Sequence, residues 1–401
     1  MTKATVRSRV RLLVPAGLVV LLGFACGHAE PPGTAVGTDA STAPTTAAAR
    51  PSTTMAPTTT TVGSPERVTL AFTGDLLPHT AVLAQAQAYG APSGAAYDFR
   101  PMFDQVRSLL SRPDLGICHL EVPLSADNAL IASYPSFSSP RELGSAIADA
   151  GYDGCSTASN HSLDQRPAGV VATLDVLDQS HVGHAGTARS AEEAASPVLY
   201  TTADGVVVGH VSGAYGFNGM EPDVPWRVGT LDPDALIAAG NAARAAGAEL
   251  VVASLHWGVE HQHEVTPDQL ALAEALTASG AFDLIVGHHA HVVQPVRVLH
   301  GVPVVFGLGN FLSNMTQPDT RDGAVVRVKA TRAAGTRHWT FDITVVPTWV
   351  DPSSFTVRPV LATLAQPEGT ALGGQLRASW DRTIGVMTAA GVARPSGQLP
   401  G

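Results

Sequence analysis

Six apolar runs in this chain each close on a polar or glycine-rich group. They are "FTGD" at Asp75, "CHLE" at Glu121, "TASNH" at Asn160 and His161, "SLHWG" around His256, "VGHHAH" with His289 and His291, and "GLGNF" with Asn310. Helix-like segments separate them, among them "QRPAGVVATLDVLDQS" and "TPDQLALAEALTASG", the latter with Thr266 as a cap and Gly280 as a stop. Apolar strands alternating with helices specify an α/β domain, with the central sheet covered by helices on both faces. In open α/β sheets, ligands bind in the crevice outside the carboxyl ends of the strands. The pattern therefore delivers Asp75, Glu121, Asn160, His161, His256, His289 and His291 to one crevice.

Carboxylate oxygens, an amide carbonyl and imidazole nitrogens make a borderline-to-hard donor set. It suits Zn, Mn or Fe(II) as a divalent metal, one ion or two, and suits a thiolate-preferring ion poorly. No Cys-x-x-Cys pair is present, which argues against a structural zinc site. If "GHHAH" is extended, its side chains alternate, so His289 and His291 share one side and His288 faces away. His261 and His263 read as surface residues, and Glu260 as either a substrate-contacting wall of the site or a carboxylate on a solvated face. Gly307 and Gly309 permit close backbone approach, which makes Asn310 a candidate substrate contact; a plain tight turn is the other reading. The stretch "AAYDFRPMFDQVRSLLSR" reads as a loop and then an amphipathic helix, and Ser139 as the cap of the helix after it. Cys118 and Cys155 each end an apolar segment, and a disulfide or two buried thiols are both open.

The N-terminus has to be set apart before any fold is inferred. A basic stretch with Lys3, Arg7, Arg9 and Arg11 precedes the apolar "LLVPAGLVVLLGFA", shorter than the roughly 20 residues of a spanning helix. It stops at Cys26, and "GFAC" resembles a bacterial lipobox, with Gly23 where Leu is usual. Residues 1–26 are thus expected to be a lipoprotein-type signal segment lipidated at Cys26. That places the chain at the outer face of the cytoplasmic membrane; cleaved secretion or an uncleaved anchor would export it equally. Residues 27–65, rich in Pro, Thr and Ala and nearly free of bulky apolar residues, cannot bury enough surface to offset their ordering entropy and read as a disordered tether. Residues 66–365 form the domain, and 366–401 a C-terminal helix ending in a loose tail. The net charge of −10, with no basic block, gives nucleic acid no electrostatic footprint.

From about Arg67 to Asn314 the ordered set "FTGD", "HLEVPLS", "SNHSLDQRPAGVVATLD", "LHWGVEH", "VGHHAHVVQP" and "GLGNFL" resembles the CapA family. This is the poly-γ-glutamate capsule biosynthesis branch of the calcineurin-like metallophosphatases. The resemblance implies central sheets flanked by helices, with the motifs at the carboxyl ends of strands. It implies Asp75, Glu121, Asn160, His256, His289 and His291 as metal ligands, and Asn160 with His161 as the catalytic pair. Three departures stand out: His119 where the family has Asn, Ser159 where it has the first Asn of Asn-Asn-His, and Leu77 where the wider superfamily has a His ligand. Asp164, Glu260 and Glu264 are the candidates to orient ligating imidazoles, and His79 a distant substitute for the absent His.

Two functions follow. One is a metal-dependent hydrolase acting on a phosphoester or an amide-linked envelope polymer. The other is a non-catalytic component that binds an anionic polymer and helps a membrane synthase complex export or anchor it. A net negative protein attracts no polyanion through its overall field, so either needs local positive charge from the metal or from Arg100 or Arg166.

Overall fold

Inward-facing apolar residues at every second position of several strands build a sandwich of two sheets. The computed structural model describes residues 66–367 and 369–399; the signal-type segment, the tether and Cys26 lie outside them. The first sheet runs β14 (Val357–Pro359), β13 (Trp339–Val350), β12 (Asp322–Arg332), β1 (Glu66–Leu77), β2 (Leu115–Leu120), β3 (Gly154–Ser156) and β4 (Gly183–Ala185). Beside that path β11 (Asn310–Ser313) pairs with β1, and β15 (Ala393–Pro395) with β13. The second sheet runs β5 (Val198–Thr201), β6 (Val207–Ala214), β7 (Leu250–His256), β8 (Leu284–His288), β10 (Val302–Leu308) and β9 (Val293–Leu299).

Val68, Leu70 and Phe72 of β1 meet Val252 of β7 and Val286 of β8 between the sheets, all at most 1% exposed. The outer face of the first sheet is covered by α1 (Thr80–Gly90), α2 (Arg100–Phe103), α3 (Arg107–Leu110), α4 (Glu142–Ala150) and α5 (Arg166–Gln179). After the one-turn α6 (Ala191–Ala195), α7 (Pro233–Ala245) and α8 (Pro267–Ala278) cover the outer face of the second. Asp232 caps α7, and Thr266 with Gln269 closes a capping box on α8. A last pair, α9 (Val360–Leu364) and α10 (Gly369–Met387), packs Leu376 and Trp380 on Trp349 of β13. The layers are therefore helices, sheet, sheet, helices: the mixed α/β sheets flanked by helices that the resemblance implies, in place of one central sheet with helices on both faces. Among the described residues no helix is long and apolar enough to cross a membrane.

Several local expectations give way. The single helix expected around Arg100–Leu110 is two one-turn helices, and α1 precedes them where no helix was expected. Ser139 caps nothing: α4 starts at Glu142 with Arg141 in the cap position and no side-chain cap, and Ser139 bridges Leu124 instead. The C-terminal tail is not loose throughout, since Ala393–Pro395 adds a parallel strand along Ile343–Val345. Cys118 and Cys155 lie opposite each other on β2 and β3 and form a disulfide.

Candidate metal centre

Strand register assembles the site before any loop contributes. In the first sheet Asn310, Asp75, His119 and Ser156 stand side by side across β11, β1, β2 and β3. In the second, Ala214, His256 and His288 do so across β6, β7 and β8. All of these strand pairings are parallel, so the carboxyl ends of both sets come together.

Asp75 reaches this position because β1 passes hard against the β10–β11 turn. A Cβ on Gly74 would lie 1.9 Å from the Gly309 carbonyl oxygen, and Gly309 itself has a φ of 67°. The Asp75 N–H donates to that same carbonyl at 3.0 Å. Asp75 is 1% exposed; its Oδ2 accepts from the His289 N–H at 3.2 Å and lies 3.1 Å from His291 Nδ1, while Oδ1 lies 3.3 Å from His288 Nδ1. Burial alone would raise its pKa, but the His288 and His291 imidazoles outweigh burial and hold it well below the carboxylate range.

Glu121 follows β2 and is equally buried, with neither carboxylate oxygen hydrogen-bonded. Burial drives its pKa well above the usual carboxylate value. His291 Nε2 is 3.6 Å from Glu121 Oε1. Burial lowers the His291 pKa, but Glu121 and Asp75 together lift it to about 9. His289 goes the other way, to about 3, chiefly through burial and the neighbouring His291.

Asn160 and His161 sit on the loop between β3 and α5, and serines hold that loop. Ser159 Oγ–H donates to the Glu121 carbonyl at 2.5 Å and accepts from the His161 N–H at 3.0 Å, so the Ser159 departure ties two site loops together. Asn160 Oδ1 lies 2.9 Å from His256 Nε2. His161 Nδ1 lies 2.8 Å from Asp164 Oδ2, which also accepts from the Phe137 N–H at 2.7 Å, and Phe137 meets the imidazole edge-on. Glu260 is exposed, yet its carboxylate lies within 4.8 Å of ligand nitrogens of His289 and His291.

Three expectations are corrected here. "GHHAH" is not extended: His289 and His291 have φ of 86° and 56°, left-handed backbone that turns both into the site. His288 does not face away; it touches Asp75, and its ring lies 4.1 Å from that of His119. Asn310 is fully buried and not placed to meet a substrate. Its Oδ1 is 3.0 Å from His291 Nδ1, and its Nδ2–H donates to the Thr320 carbonyl, so it orients His291 from behind. Of the remaining expected residues, Arg100 is exposed and forked onto Asp98. Arg166 is exposed at the start of α5, Glu264 contributes only its carbonyl, to Gln294, and His79 accepts from the Asn314 N–H outside the groups close enough to share an ion.

The sequence reading missed Tyr215 and Asn218, and took His119 only as a departure from the family pattern. Tyr215 is half exposed and lies 4.5 Å from the His289 ring, and Asn218 Nδ2 is 3.3 Å from His161 Nδ1. Following "GVVVGHVS" two residues further, through Gly213 and Ala214, would have exposed Tyr215 as a seventh strand ending.

These residues fit a divalent cation. Both oxygens of Glu121 are buried without a hydrogen bond, and Asp75 Oδ1 meets only His288 Nδ1 at 3.3 Å, a crowding of buried carboxylates that a cation would relieve. Two overlapping groups, Asp75–Glu121–His291 and Glu260–His289–His291, each bring three donor atoms within 4.8 Å of one another. The buried His256 and His289 imidazoles are held neutral, the form that ligates.

Comparison with known proteins agrees with the motif order. The chain is 31% identical over 186 residues to the PGA biosynthesis protein CapA of Bacillus subtilis, covering 45% of this chain and 48% of that protein. It is 27% identical over 273 residues to the capsule biosynthesis protein CapA of Bacillus anthracis, covering 65% and 64%. It thus spans about half to two thirds of these relatives' lengths. A calcineurin-like phosphoesterase structure from Bacillus subtilis aligns with a TM-score of 0.42 at 14% identity, over 79% of this chain and all of that one. The bacterial capsule synthesis protein family PGA_cap matches residues 69–315, more than half of the sequence and every element that carries the crevice, and the chain belongs to that family.

Proposed function

We propose that this chain is a divalent-metal-dependent hydrolase of envelope polymer biosynthesis, acting on poly-γ-glutamate or on a phosphoester in the same process. The observation that carries it is the pair of buried carboxylates, Asp75 and Glu121, the latter with both oxygens unpartnered, close to His291 and to the neutral His256 and His289 where the two sheets' carboxyl ends meet. Asp75, Glu121, Asn160, His256, His289 and His291 would hold the metal, with Glu260 closing the exposed side. A divalent cation in such a set lowers the pKa of bound water toward neutrality and polarises the scissile group. Asp164 can accept an Nδ1–H of His161 and so support its imidazolium, whose Nε2–H would bind an oxyanion or pass a proton to the leaving atom. Asn218 lies on the Nδ1 side of His161, and Tyr215 packs on the His289 ring.

The Cys118–Cys155 disulfide supports placement outside the cytoplasm, where such bonds persist. Together with the lipobox-like "GFAC", it favours a membrane-tethered protein at the outer face of the cytoplasmic membrane. A second reading, a non-catalytic polymer-binding partner of a membrane synthase, draws on the exposed Leu130, Tyr134, Tyr215 and Val259, surfaces able to hold a chain without cleaving it. Purified protein loaded with Mn²⁺ or Zn²⁺ and offered phosphoesters and γ-glutamyl polymers separates the two. Turnover abolished by Asp75→Asn supports the hydrolase; bound metal and bound polymer without turnover supports the partner.

A further inference from the structure

His119, which stands where the family has Asn, touches neither solvent nor the open side of the crevice. Its imidazole is fully buried, 2.8 Å through Nδ1 from Ser156 Oγ and 2.9 Å through Nε2 from His256 Nδ1. His256 in turn brings its Nε2 to 2.9 Å from Asn160 Oδ1. The Asn160 amide is oriented, because its Nδ2 faces Asn218 Oδ1 at 3.4 Å. At its far end, Ser156 Oγ–H donates to the Cys118 carbonyl at 3.3 Å.

Protons can be placed along this row in two complete ways. In the first, Ser156 donates to the Cys118 carbonyl, so His119 Nδ1–H donates to Ser156 and His119 Nε2 accepts from His256 Nδ1–H. The His256 Nε2 lone pair then faces the Asn160 Oδ1 lone pair at 2.9 Å. Two acceptors at that distance repel unless a cation lies between them. In the second, Ser156 donates to His119 Nδ1, His119 Nε2–H to His256 Nδ1, and His256 Nε2–H to Asn160. That row closes with no cation and blocks the ligating nitrogen. Both contain the same number of protons, so changing between them moves one proton across each ring and releases none.

We infer that His119 is a positioning residue for the metal centre: by accepting the His256 Nδ1–H it presents the Nε2 lone pair of His256, with Asn160 Oδ1, to the cation. The inference rests on the metal-centre reading above. The same row excludes His119 as a ligand, although it lies within reach of Asp75 and His288, because both its nitrogens are engaged. His288, stacked on it at 4.1 Å, holds the ring plane.

The test measures Zn²⁺ affinity of the full chain by chelator competition, and the histidine tautomers by nitrogen-15 NMR of histidine-labelled protein. His119→Leu should weaken Zn²⁺ binding by about 10–100-fold. His119→Gln, whose Oε1 can stand where Nε2 stands, should recover most of that loss. Ser156→Ala, a small truncation expected to fold, should weaken binding less and shift His119 toward the Nε2–H form. In Zn²⁺-loaded parent protein His256 should carry its proton on Nδ1. Parent-level affinity in folded His119→Leu, or a His256 protonated on Nε2 when loaded, overturns the inference and leaves the metal centre standing. A parent protein that binds no Zn²⁺ overturns the metal-centre reading itself.

Discussion

At the scale of single residues the site is a set of charges that burial makes expensive and neighbours make tolerable. His161 and Asp164 form a pair whose role can be separated from metal binding. His161→Ala should cut turnover by about 100-fold or more while bound metal, measured by elemental analysis, stays at the parent level. Asp153, just before β3, gives a pH-dependent check away from the site. Burial pushes its carboxyl up to about 6, only partly offset by the Gly116 N–H. A carboxyl raised in the folded state stabilises below its unfolded pKa of about 3.9, and that contribution is lost as pH rises toward 6. Asp153→Asn should therefore raise stability at pH 7.5 by up to about 3 kcal/mol, read as a higher urea midpoint, and change it little at pH 4. The residues most legible in the sequence were those ending an apolar run, such as Asp75 and Glu121. His288 and Asn310 were misread because their roles depend on a left-handed backbone and on burial behind His291, which spacing does not encode.

At the scale of elements the site depends on where strands stop and how closely they pass. Gly74 is the tightest point: a methyl there meets the Gly309 backbone, which cannot rotate away. Gly74→Ala should displace Asp75, lowering stability by about 2 kcal/mol or more in thermal unfolding and reducing bound metal with it. The disulfide between β2 and β3 closes a separation of 37 residues. Replacing both cysteines by Ala should cost about 3–4 kcal/mol, read as a lower urea midpoint. Strands and long helices were readable from strong local signals, a continuous apolar run in β7 and a Thr266 cap with a terminal Gly280 in α8. The short elements were less so: α2 and α3 are single turns and β15 holds three residues, lengths at which tertiary packing decides.

At the scale of the whole molecule, two sheets supply one site. The first brings Asp75, Glu121 and the Asn160 loop, and the second brings His256 and the His288–His291 turn, so neither sheet alone offers a complete donor set. That division was not readable from the sequence, which predicted strand endings without saying which sheet each joined; the motif order carried the family and the register carried the geometry. The central claim, that this crevice is a metal centre, is tested most directly by elemental analysis of the purified chain after equilibration with Mn²⁺ or Zn²⁺ and removal of free ion. At least one equivalent in the parent protein, lost in Asp75→Asn combined with His289→Ala, is the predicted result. No bound metal in the parent, or full content in the folded double variant, would contradict it.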